Sequence, residues 1–200
     1  ELGLPFWLAG SYGHHAQLKK ALEEGAAGIQ VGTAFALCNE SGMETELKKK
    51  ALRQVLINQT RVFTNPIASP TGFPFKIAHV DGTISETNVY NARPRLCDIS
   101  MLRTLFKKED GSLVYRCPAE PVEDYVRKGG RLEETVGRTC LCNNLMAAAG
   151  IPQRRKNGYI EPPLVTAGND LANIGRFLKA GNSGYSAKDV IDVLTAPTII

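Results

Sequence analysis

No apolar run in this 200-residue chain is longer than a few residues. The longest, Pro5-Phe6-Trp7-Leu8-Ala9 and Ala34-Phe35-Ala36-Leu37-Cys38, fall far short of the roughly 20 residues that cross a bilayer. A transmembrane helix is therefore excluded, and no membrane partner is expected. A surplus of one charge is also missing. Lys and Arg number 24 against 20 Asp and Glu, a net charge of +4 that is scattered rather than striped, so a nucleic-acid partner has no basic face to dock on. The Lys48-Lys49-Lys50 run is expected as a solvated helix face. Glu1-Leu2-Gly3-Leu4-Pro5 carries no initiator Met, basic start or cleavable leader and reads as a cut inside a longer chain. Five cysteines, an odd number, with no export signal point to thiols in a reducing cytoplasm rather than to a disulfide framework.

What is present suits a folded chain: 43% hydrophobic and 22% charged residues are enough to bury one good core and a small appendage. Residues 4–9 form an apolar run that stops at Gly10-Ser11-Tyr12-Gly13, the pattern of a buried strand ending in a tight loop. A helix is expected next, with Ala16, Leu18, Ala21 and Leu22 apolar among charged residues and Gly25 as its stop. Gly28 to Phe35 reads as a second buried strand, and residues 43–56 as a second helix. Strand, glycine loop, helix, repeated once, is the grammar of parallel α/β structure. From Arg61 to Asn91 the turn signals Asn65-Pro66, Ser69-Pro70, Thr71-Gly72 and Phe73-Pro74 forbid a long regular element. Later helices are predicted over residues 120–128, 135–149 and 170–178, and a last one capped at Ser186-Ala187-Lys188-Asp189.

Two consecutive βα units with glycines at the carboxyl ends of their strands place two sets of backbone N–H groups side by side, a suitable anion site. Glycine lets the backbone approach phosphate oxygens, and Thr33 adds a hydroxyl. By spacing alone, Gly10 and Gly32 serve equally well as plain strand-end turns. The surrounding residues carry more. Leu8-Ala9-Gly10-Ser11-Tyr12-Gly13, then Gly25-Ala26-Ala27-Gly28, then Gln30-Val31-Gly32-Thr33-Ala34-Phe35 and Glu40-Ser41 resemble the last two βα units of the nitronate monooxygenase (2-nitropropane dioxygenase) family. That resemblance implies the carboxy-terminal portion of a (β/α)8 TIM barrel over residues 1–60, followed by an irregular, partly helical extension over 61–200. It implies flavin mononucleotide (FMN) as cofactor, its phosphate held by Gly10 and Ser11 on the first loop and by Gln30, Val31, Gly32 and Thr33 on the second. Ser11 stands where the family has a second glycine, so a positive φ there would be strained. Ala68 to Lys76, Tyr115 to Pro121 and Pro163 to Gly168 resemble the carboxy-terminal extension of a bacterial subgroup of these proteins.

The activity so implied is oxidation of alkyl nitronates with O2, with a nitronate-like small molecule as substrate and a homo-oligomer as an open expectation. The family's catalytic histidine lies on an earlier strand that nothing here matches, and no catalytic residue is assigned. His14 and His15, at a helix start, read as exposed or loop-packing, and His79 has no evident partner. An FMN-dependent enoyl-acyl-carrier-protein reductase and a non-catalytic, cysteine-bearing docking module are the rival readings. Cys97, Cys117, Cys140 and Cys142 are four thiols in search of a role. Only Cys140 and Cys142 are close in sequence, and on a helix their side chains would point about 200° apart, so buried thiols rather than metal ligands are expected.

Overall fold

The computed structural model describes residues 3–196. They form two compact units: residues 3–62 with 167–196, and residues 63–166. The first division falls after residue 62, and residues 167–196 group with the first unit rather than with residues 63–166. The architecture is mixed α/β. The described residues contain three two-stranded sheets and no closed barrel, and no helix among them is long and apolar enough to cross a membrane.

In the first unit, β1 (Trp7–Leu8) pairs in parallel with β2 (Gly28–Ile29), in the register Trp7 with Gly28 and Leu8 with Ile29. The intervening α1 (His15–Glu23) closes the crossover and buries Ala21. The first strand was expected to be buried along residues 4–9. It is shorter, and Leu4, Phe6 and Trp7 stand 70%, 45% and 51% exposed, because β2 is its only described neighbour. The second strand also ends early. Gly32 adopts helical dihedrals (φ −92°, ψ −60°) and accepts from the Ala36 N–H at 2.9 Å, so Thr33–Ala36 is a short helix, α2, instead of a strand end.

Next comes α3 (Thr45–Leu56), whose amino end is capped by the Glu44 carboxylate accepting from the Glu46 and Leu47 N–H groups at 2.9 and 2.7 Å. The solvated-face expectation fails at Lys48. It is buried, and its ammonium donates to the carbonyls of Cys38, Asn39 and Ser41 at 3.0, 3.0 and 3.2 Å, satisfying the chain that leaves α2. Residues Asn169–Phe177 form a 3₁₀ helix where an α-helix was predicted. The reason is legible in the spacing: Leu171, Ile174 and Phe177 recur every three residues, the period of a 3₁₀ turn, and all three are buried. Phe177 packs on Tyr185 with ring centroids 5.5 Å apart, and the Tyr185 hydroxyl donates to the Ala34 carbonyl at 2.7 Å. The expected capping box holds α7 (Ala187–Thr195), with Ser186 and Asp189 exchanging hydrogen bonds.

The second unit contains β3 (Val62–Asn65, entered at its start) beside β4 (Phe75–Ala78), then α4 (Thr87–Ala92). Its β5 (Thr104–Lys107) and β6 (Leu113–Arg116) form an antiparallel hairpin, followed by α5 (Val122–Arg127) and α6 (Leu141–Ala148). The helix predicted over 135–149 is shorter. Gly137 has φ +71° and breaks it, leaving a 3₁₀ turn at Leu132–Thr135 and α6 after Cys140. Ala68, Ile77, Ile84, Leu141 and Leu164 form the core. Across it runs a buried ionic node: the Glu161 carboxylate accepts from Arg93, from Asn144 at 2.7 Å and from Tyr159 at 3.3 Å.

Candidate functional site

Parallel pairing of β1 with β2 brings their outgoing loops together. The Gln30 N–H donates to the Leu8 carbonyl at 2.8 Å, so Ala9 to Gly13 and Gln30 to Thr33 leave the sheet side by side. Between them lies a cleft of about 360 Å³ whose wall includes Gly10, Ser11, Gln30, Val31, Gly32 and Thr33. All six residues singled out from the sequence are thus gathered at one place.

The backbone of the first loop is left-handed at two successive residues, Gly10 (φ +90°) and Ser11 (φ +65°). Glycine suits the first, whereas serine is strained at the second. Gly32 differs. Its φ is ordinary for any residue, and a Cβ built there meets nothing within 4 Å. Neither backbone conformation nor packing therefore demands glycine at 32, a residue that lines the cleft. Thr33 spends one lone pair of Oγ1 on the Gly168 N–H at 2.8 Å, leaving its hydroxyl proton to donate elsewhere.

Sequence reasoning missed the cleft's third wall. Gly168 and Asp170 line it, delivered by the returning chain. The Asp170 carboxylate would repel an anion were it alone, but Arg176 lies 2.6 Å from its Oδ2 and 3.2 Å from its Oδ1. The same guanidinium donates to the Gly13 carbonyl, tying the first loop down. Gly13 is buried against this pair: a Cβ there would sit 2.8 Å from both Arg176 Nη2 and Asp170 Oδ2.

The histidines stay out of the cleft wall. His14 caps α1 in an exposed position, and His15 Nδ1 lies 2.9 Å from the Leu194 carbonyl, packing α1 on α7. His79 does have partners: its ring approaches Ser85 Oγ at 3.4 Å, and it groups with Asp81 and Glu86 so that one ligand atom from each lies within 4.8 Å of the others. Glu86 is already engaged by the Gly82 N–H at 2.7 Å, and all but His79 belong to an exposed or half-exposed turn.

Among the four thiols of the second unit Cys117 and Cys140 are buried, as expected, and Cys97 and Cys142 are partly exposed. Cys117, Cys140 and Cys142 pack together. The argument that Cys140 and Cys142 must diverge assumed a helix through both, yet Cys140 is the residue before α6, with non-helical ψ of 81°. Burial pushes the Cys140 thiol up to about 11 and raises that of Cys117.

Comparison with family models, curated proteins and solved structures finds no match for this chain.

Proposed function

We propose that the chain holds the phosphate of FMN in the cleft between its first two βα loops and serves a nitronate monooxygenase-like flavin oxidoreductase. The observation that carries the reading is the convergence of the two loops leaving the parallel pair, which puts Gly10, Ser11, Gln30, Val31, Gly32 and Thr33 on the wall of one cleft. In this reading the barrel portion is residues 1–60, with Gly168 and Asp170 closing the site from outside it. Gly10 and Ser11 offer N–H groups from one loop, and Gln30, Val31, Gly32 and Thr33 offer N–H groups and a hydroxyl from the other. Arg176 neutralises Asp170, so that a dianion is not met by an unbalanced carboxylate.

When bound, FMN supplies the electron transfer. The chain's residues bind and orient its tail, and no residue here is assigned as the base. The test is oxygen uptake by the FMN-loaded protein with an alkyl nitronate, set against NADH consumption with an enoyl thioester. Nitronate-dependent oxygen uptake supports the reading. Turnover of the enoyl thioester with NADH, without oxygen, replaces it with the reductase. A protein that retains no flavin under any loading condition removes both.

A further inference from the structure

The turn that joins β4 to α4 brings together an imidazole and two carboxylates. One donor atom each from His79, Asp81 and Glu86 lies within 4.8 Å of the other two, and among the described residues no other group of three His, Cys, Asp or Glu side chains converges in this way. Bonds of about 2.0–2.2 Å to one ion would set its donors about 3–4 Å apart. Small side-chain rotations are enough to close the set. The spacing i, i+2, i+7 puts these residues together on no regular helix or strand, so the turn itself must do so.

That turn is fastened from its inner side. Val80, Thr83 and Ile84, which alternate with the three donors, are buried, and the Ala78 and Ile84 N–H groups donate to the Val165 and Pro163 carbonyls at 2.9 Å each. The Thr83 hydroxyl donates to the Val80 carbonyl at 2.7 Å, and the Ser85 hydroxyl accepts from the Val80 N–H at 3.2 Å. Gly82, at φ +76°, makes the bend. The donors are thus presented on a fixed backbone, which lowers the ordering cost of capturing an ion. Ser85 Oγ, 3.4 Å from His79 Nδ1, steadies the ring, the part an outer hydrogen bond plays for a metal-bound histidine. Glu86 gives one oxygen to the Gly82 N–H at 2.7 Å and keeps acceptor sites for more.

We infer that His79, Asp81 and Glu86 bind one divalent transition-metal ion that pins the end of β4 to the start of α4, with water on its remaining positions. The donor set selects the ion. Two carboxylates and a neutral imidazole balance a 2+ charge. Calcium takes six to eight oxygen ligands, and magnesium is held through carboxylates and water; an imidazole nitrogen turns the preference toward the first-row transition ions. Three protein donors leave the site open, and the exposed Asp81 gives the ion its way in from solvent. The site does not depend on the flavin reading.

The experiment is titration of the full chain with Co²⁺, followed by its visible absorbance, with Mg²⁺ as the comparison. One tightly held Co²⁺ per chain is expected, without the thiolate-to-cobalt charge-transfer band that cysteine ligation would add, and bound far more tightly than Mg²⁺. Loss of a direct ligand should cost at least what loss of an outer partner costs, so His79→Gln and Glu86→Gln should each weaken binding about tenfold or more. Because substitution risks the turn itself, the parent protein is also followed by its amide resonances; those of Gly82, Thr83 and Ser85 should be the first that the paramagnetic ion perturbs. Cobalt bound through thiolates, cobalt that leaves these resonances unmoved, undiminished binding in both variants, or affinity no greater than for Mg²⁺ would each overturn the site.

Discussion

Replacing Gly32 by Val separates binding from folding. At φ −92° valine is allowed, and its Cβ meets no atom within 4 Å. The fold loses only a tolerable cap residue before α2, about 0.5–1 kcal/mol, a fall in melting temperature of a few degrees for a chain of this size. A phosphate approaching the Gly32 N–H would instead meet two methyl groups. Each backbone hydrogen bond to a charged group is worth about 1.5–3 kcal/mol, so losing one should weaken FMN binding by roughly 10- to 150-fold. Riboflavin, which lacks the phosphate, supplies the control. Titration of the full chain with each flavin, followed by the amide resonances of Gly10 and Gly32, should show FMN favoured over riboflavin in the parent and the preference largely lost in Gly32→Val. Equal affinity for the two flavins in the parent, or an undiminished preference in the variant, would refute the phosphate assignment.

Ser11→Gly should stabilise the first unit by about 0.5–1 kcal/mol, since relief of a left-handed serine exceeds the added freedom of the unfolded chain; a lower urea midpoint would contradict the strain. Glu161→Ala should cost the second unit about 3–5 kcal/mol, because Arg93 is left buried without its partner, both side chains being nearly sealed from solvent; a loss below about 1 kcal/mol in chemical denaturation would show the node to be relaxed. Acid should weaken the second unit through Glu134, which the Arg131 N–H and then the Tyr125 hydroxyl hold at about 2, below its ordinary 4.5. A depressed carboxylate stabilises fully above the ordinary value, and that contribution is lost as pH falls from 4.5 toward 2; Glu134→Gln should flatten the denaturation midpoint across that window.

Local signals announced what they control. The Ser186 to Asp189 box starts α7 where expected, and the glycine loops Gly10 to Gly13 and Gln30 to Thr33 do converge. What escaped were features set by partners distant in sequence. Lys48 looks like its neighbours Lys49 and Lys50 and differs only because three carbonyls of the chain leaving α2 surround it. The β5–β6 hairpin carries Asp110-Gly111 at its turn, but its strands alternate weakly, and Arg116 stacks 3.3 Å over the Phe106 ring, a contact between the strands that local pattern does not show. The return of residues 167–196 could not be read at all, since Leu171, Ile174 and Phe177 declare a buried face without naming what buries it.

That return bears directly on the strained loop. A serine held at φ +65° costs free energy that local sequence does not recover, and such a conformation persists only where its surroundings over-determine it. Here the next two residues are fixed from both sides. The Tyr12 carbonyl accepts from the His14 N–H at 2.8 Å, and the Gly13 carbonyl accepts from Arg176, itself anchored by Asp170 and by the Asn173 carbonyl at 2.7 Å. The absence of a Cβ at Gly13 is what lets the guanidinium and carboxylate come this close. The loop that presents Gly10 and Ser11 to the cleft is therefore shaped by an ion pair more than 150 positions away in sequence, and its geometry should depend on Arg176 as strongly as on the two residues that show the unusual φ.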